Sequence, residues 1–81
     1  MSWAPFEIIW DWPALHAFFR LAPHTAYIVD RAVIRFAERG EGDIRHEAPY
    51  HHLRAGLHNA VLAVDENAGT LCVVRIYRHR L

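Results

Sequence analysis

One segment constrains the chain more than any other. Ile28, Val29, Ala32, Val33, Phe36 and Ala37 recur at three- and four-residue spacing, with Asp30, Arg31, Arg35 and Glu38 between them. That periodicity predicts an amphipathic helix with a single apolar stripe. Pro23 marks its start, because proline is tolerated in the first helical turn, and Gly40 stands where a left-handed residue closes a helix. Such a stripe has to be buried against something. In 81 residues, read as one domain spanning 1–81, the partner surface must come from the same thin core.

The second half supplies it. Tyr50–Ala55, Leu57–Asp65 and Thr70–Tyr77 are short, rich in β-branched or aromatic residues, and separated by Gly56 and by Glu66-Asn67-Ala68-Gly69. They read as a three-stranded meander joined by tight turns. Phe6–Trp10 reads as an N-terminal strand, and Asp11 and Pro13 cap and start a short helix running to about Leu21, with Leu15, Phe18 and Phe19 on one face. Gly40-Glu-Gly42-Asp is a loop. The expected order is β-α-α-β-β-β, an α+β fold: a small antiparallel sheet with a helical hairpin on one face and the other face left open. Trp10, Trp12, Phe18, Phe19 and Phe36 fall at core-like positions, while Trp3 is free to face solvent or a partner.

Composition narrows the function classes. Hydrophobic residues make up 53% and charged residues 22%, a globular balance. Basic and acidic residues number 9 each, so no bulk charge draws the protein to nucleic acid or membrane. The distribution is uneven, however. Glu7, Asp11, Asp30, Glu38, Glu41 and Asp43 outnumber the arginines before residue 45, whereas Arg45, Arg54, Arg75, Arg78 and Arg80 outnumber the acids after it. His46, His51, His52, His58 and His79 share that second part, which acid would make more cationic. All the cations are arginine, the residue whose planar fork matches phosphate oxygens. Cys72 is the sole cysteine, which excludes an internal disulfide and a cysteine-based zinc site and fits a reducing, cytoplasmic compartment. No charged leader and no apolar run near the roughly 18 residues of a membrane span are seen. No cofactor and no metal site are expected, since His51 and His52 point to opposite faces of a strand and His46, His52 and His58 lack a ligand spacing.

Alternation places candidate site residues. Along the last strand Arg75, Tyr77 and His79 share one face, and Cys72, Val74 and Ile76 the other. The apolar set is expected to meet the helices, burying Cys72. Tyr50, His52 and Arg54 share a face in the same way, so an Arg, His and Tyr set would gather on the open side of the sheet.

The run Tyr50-His-His-Leu53-Arg54-Ala-Gly56-Leu-His-Asn-Ala-Val61-Leu-Ala-Val-Asp65, followed by Leu71-Cys-Val-Val-Arg-Ile76-Tyr-Arg78-His79-Arg80, resembles the C-terminal half of the RelE/ParE toxin superfamily. Members show a strand ending in Leu-Arg, a glycine turn, a Tyr-Arg-Val strand, an acidic hairpin and a last strand closing in a basic motif. Leu53-Arg54 matches the first element, Gly56 the turn, and Arg78-His79-Arg80 the terminal motif with His and Arg transposed. His58-Asn59 stands where the family has Tyr-Arg, one basic residue fewer.

The resemblance implies the toxin of a bacterial type II toxin–antitoxin pair, a class linked to plasmid stabilisation, with a cognate antitoxin as partner. RelE-type members are mRNA interferases that cut mRNA on the ribosome, and ParE-type members inhibit DNA gyrase. A domain that keeps the fold without toxicity is a further alternative. On the RelE reading Arg54, Arg78 and His79 are the catalytic candidates. His52, His58, Arg75, Tyr77 and Arg80 are candidates for RNA or partner contact. The nucleases of the family use a tyrosine after the basic motif. It has no counterpart up to Leu81, and His52, His58 or His79 would take its place. Cleavage by 2′-hydroxyl attack needs a base for the 2′ proton, cations for the phosphorane charge and an acid for the 5′-oxygen.

Overall fold

A computed structural model describes residues 3–79. The elements are β1 (Glu7–Trp10), α1 (Trp12–Phe19), α2 (Pro23–Arg39), β2 (Asp43–Glu47), β3 (Tyr50–Ala55), β4 (His58–Asp65) and β5 (Thr70–Arg78). They form one mixed sheet ordered β1-β5-β4-β3-β2, with β1 parallel to β5 and every other pair antiparallel. The α+β architecture and the helix-covered face follow the sequence pattern. The strand β2, not anticipated in the expected order, extends the meander by one edge, and parallel β1 makes the sheet mixed rather than antiparallel.

Local chemistry explains the helices. Asp11 is extended and its carboxylate accepts from the Trp12 N–H at 3.0 Å, with Pro13 in the first turn of α1. Pro23 opens α2, and Gly40 ends it with φ of 69°, its N–H donating to the Phe36 carbonyl at 2.9 Å. Gly40 is doubly constrained, because a Cβ there would lie 2.6 Å from the Trp3 ring. Trp3 packs on Phe6 and Phe36 and donates its indole N–H to the Ala37 carbonyl at 3.0 Å, which pins the start of the chain to the end of α2.

The core lies between the helices and one sheet face. Val29, Val33, Phe36 and Ala37 of α2 and Ala14 of α1 meet Leu53, Ala60, Leu62, Leu71 and Val73. The α2 stripe is thus the one that its spacing predicts. The side chains of β5 differ from strict alternation. Val61 pairs with Arg75 but Leu62 pairs with Val73, so Val74 is an extra, bulged residue. Leu71 and Val73 are buried at 0% exposure while Cys72 and Val74 are only partly buried. The bulge resets the parity, so Ile76 still packs on the core and Arg75 and Tyr77 still face away. The expectation that Cys72 and Val74 meet the helices is therefore corrected.

Two aromatics are corrected as well. Trp12 and Phe19 are 68% and 71% exposed, unlike Phe36 at 6%. Helix α1 buries Ala14 and packs Phe18 on Trp10 at 5.0 Å. Trp12, His16 and Phe19 recur at the spacing of the opposite stripe. Among the described residues, no helix is long and apolar enough to cross a membrane.

Candidate functional site

Cross-strand register builds the open face. One row of partners runs Asp43, Arg54, Asn59, Tyr77 from β2 to β5, and the next runs Arg45, His52, Val61, Arg75. Directly opposed side chains on one face lie within contact range, so two adjacent rows bring these polar groups together without any loop. A cavity of about 590 Å³ opens over them, lined by Asp43, Arg45, His52, Arg54, Asn59, Tyr77, Arg78 and His79.

Three hydrogen bonds fix its working groups. His52 Nδ1 and the Tyr77 hydroxyl share one of 3.1 Å, whose direction is set by the imidazole tautomer. Asn59 Nδ2 donates to His79 Nδ1 at 3.0 Å. Arg54 Nε donates to the Gly56 carbonyl at 3.1 Å, which anchors the guanidinium stem and leaves both terminal nitrogens for a ligand. Arg45 is tied to Glu47 at 2.7 Å, and this is the one ion pair among the described residues. Arg54 thus faces the cavity with no carboxylate in salt-bridge range among the described residues. Three guanidiniums, two imidazoles, a phenol and an amide, against the single carboxylate of Asp43, form a concave surface suited to an oxyanion such as phosphate.

The structure brings together His52, Arg54, Tyr77, Arg78 and His79 of the residues singled out in the sequence. Arg78 is paired with His58 rather than in either polar row. Arg75 lies next to the cavity, lining a smaller depression of about 390 Å³ with Tyr50, His52, Val61, Val74 and Tyr77. His58 is not part of the cavity lining, and its Nδ1 is buried without a hydrogen-bond partner. Arg80 lies outside the described residues. Sequence reasoning missed Asp43 and Arg45 as site residues because β2 itself was missed. Asn59 was passed over as the place where an arginine is lacking. Its signal was an amide at the head of the apolar run Ala60–Val64, where burial demands a partner. Asn59, at 8% exposure, is the one buried polar residue among the described residues.

Opposite the cavity, His51 stacks on His46 at 4.4 Å and lies 6.3 Å from the Phe36 ring. Burial first, then the His46 ring, pushes the His51 pKa below its ordinary value, against a weaker upward pull from Glu66. Cys72 is pushed up by burial and by the Asp11 charge, more than a hydrogen bond to the Asp11 backbone offsets, so its thiol is no poised nucleophile. Among the described residues, no three His, Cys, Asp or Glu side chains gather as metal ligands.

No family model matches the chain. No curated protein matches it either. A solved structure does: a chain in the crystal structure of the toxin–antitoxin complex RelBE2 from Mycobacterium tuberculosis superposes with a TM-score of 0.76, covering 91% of this chain and 91% of that one at 16% sequence identity. The likeness is one of fold: a helical hairpin on a five-stranded mixed sheet, as in that RelE-like neighbour.

Proposed function

We propose that this protein is the toxin of a type II toxin–antitoxin pair and cleaves mRNA on the ribosome. The observation that carries the reading is the meeting of Arg54, the His52–Tyr77 pair and His79 at one cavity on the uncovered sheet face. The likeness to a chain of a toxin–antitoxin complex supports the toxin assignment.

In this reading the substrate phosphate sits against Arg54, whose terminal nitrogens take two of its oxygens. The 2′-oxygen attacks phosphorus as the bond from phosphorus to the 5′-oxygen breaks. His52 donates Nδ1–H to Tyr77, so its Nε2 lone pair takes the 2′ proton. The Tyr77 hydroxyl gives its own proton to the departing 5′-oxygen and is replenished through His52 Nδ1. The products are a 2′,3′-cyclic phosphate and a free 5′-hydroxyl, with no net proton lost. Arg54, His79 and Arg78 supply positive potential or hydrogen-bond donors to the phosphorane. Arg75 and Tyr50, beside the cavity, offer a phosphate contact and a stacking ring for a neighbouring nucleotide. The cognate antitoxin covers this face and blocks it.

Expression of the wild-type protein in bacteria tests the assignment. Growth should stop, resume on co-expression of a neighbouring antitoxin gene, and be unaffected by Arg54→Ala protein that still binds that antitoxin. Growth arrest with intact mRNA and loss of DNA supercoiling would contradict the nuclease and point to gyrase. Absence of arrest would contradict the toxin and leave a non-toxic domain.

A further inference from the structure

Asn59 is the one buried polar side chain of the core-lining strands, and it stands in the polar row between Arg54 on β3 and Tyr77 on β5. An amide buried in a sheet is costly unless bonded. Its bond is specific: Nδ2 to His79 Nδ1 at 3.0 Å. An amide NH2 only donates, so Nδ1 must accept. A ring whose Nδ1 accepts is neutral and carries its proton on Nε2. The neighbouring Arg54 cation favours the same orientation, because it draws the amide oxygen to its own side and leaves the NH2 for the ring. His79 is also held by its backbone, whose N–H donates to the Leu57 carbonyl at 2.7 Å.

We propose that Asn59 is a positioning residue that fixes His79 as the neutral Nε2–H tautomer, turning its ring into a hydrogen-bond donor for a phosphate oxygen at the cavity. His79 then acts by donating a hydrogen bond to developing charge, and the proton traffic stays with His52 and Tyr77. On the ribonuclease reading the two imidazoles of the cavity would hold opposite tautomers, His52 with Nε2 free to accept and His79 with Nε2–H ready to donate. The rate consequence rests on the ribonuclease reading, but the tautomer does not.

The test is a two-bond ¹⁵N–¹H correlation spectrum of the imidazoles in the full-length protein, with the His79 signals assigned by their loss in His79→Gln. The wild type should show His79 protonated at Nε2. Asn59→Asp should reverse it to Nδ1–H, because a carboxylate can only accept. Asn59→Leu should give a mixture and covers the case in which Asn59→Asp does not fold. Cleavage of translating mRNA should fall roughly 10- to 100-fold in Asn59→Asp even though its ring bond is kept. Because the new carboxylate also stands opposite Arg54, the spectrum, rather than the rate, is the readout that decides the tautomer. A wild-type His79 protonated at Nδ1, or Asn59→Asp cleaving at the wild-type rate, would overturn the inference. Wild-type protein that leaves translating mRNA intact would instead overturn the ribonuclease reading, with the spectrum still deciding the tautomer.

Discussion

His51 and His52 are adjacent in the chain and share nothing else. His51 faces the helices, stacked on His46 and near Phe36, with a buried Nδ1 that has no hydrogen-bond partner. His52 faces the cavity and shares a hydrogen bond with Tyr77. The backbone of β3 turns successive residues to opposite sides of the sheet, so one imidazole joins the packing and the next lines the cavity. The lesson extends to the two faces as wholes. The helix side gains its order from apolar area, and the open side keeps polar groups that would be costly in a core but are useful beside a ligand.

Variants on the two faces should therefore fail in different ways. The largest effect is expected on the helix side. Leu62→Ala removes a side chain that is fully buried and should lower stability by about 2–5 kcal/mol, seen as a shifted urea midpoint. On the open side, Arg54→Ala should slow RNA cleavage roughly 100-fold or more while leaving the urea midpoint nearly unchanged. Equal loss of stability and activity in both variants would break the division.

A smaller effect sharpens it. The His51 pKa is held below its ordinary 6.5, so the unfolded chain binds the proton more readily than the folded one. Its contribution to stability is then complete above about pH 6.5 and is lost as pH falls from there toward the lowered folded value. His51→Phe should flatten the dependence of melting temperature on pH below 6.5, as measured by circular dichroism. The smallest effect is expected at the sheet edge. The Arg45–Glu47 pair has side chains 69% and 55% exposed, and Glu47→Ala should change stability by less than about 1 kcal/mol.

How much of this was legible depended on how strongly burial wrote itself into the residue pattern. Helix α2 was plain, since its apolar stripe, Pro23 and Gly40 all agree with the observed Pro23–Arg39. Strand β3 was plain too, as Tyr50–Ala55. Strand β2 was not, because Asp43-Ile-Arg-His-Glu47 lies at the sheet edge with only Ile44 half-buried. Charged edge strands avoid the alternation that reveals an interior strand. The bulge at Val74 is equally silent, since Val73 and Val74 are the same residue with opposite fates. The exposed stripe of Trp12 and Phe19 runs against the usual reading of large aromatics as core. In the site, His52, Arg54 and Tyr77 followed from strand alternation, whereas Arg45 depended on the missed strand. For Asn59 the residue pattern signals an amide that needs a partner, and only the fold shows that the partner is His79.

The central claim is that the open face cuts RNA, and its most direct measurement is made in a cell-free translation reaction. Purified protein is added and the 5′ ends of the mRNA are mapped by primer extension. The account expects new ends that appear only while ribosomes are translating and that vanish with Arg54→Ala. Intact mRNA and undiminished translation in the presence of folded wild-type protein would contradict it.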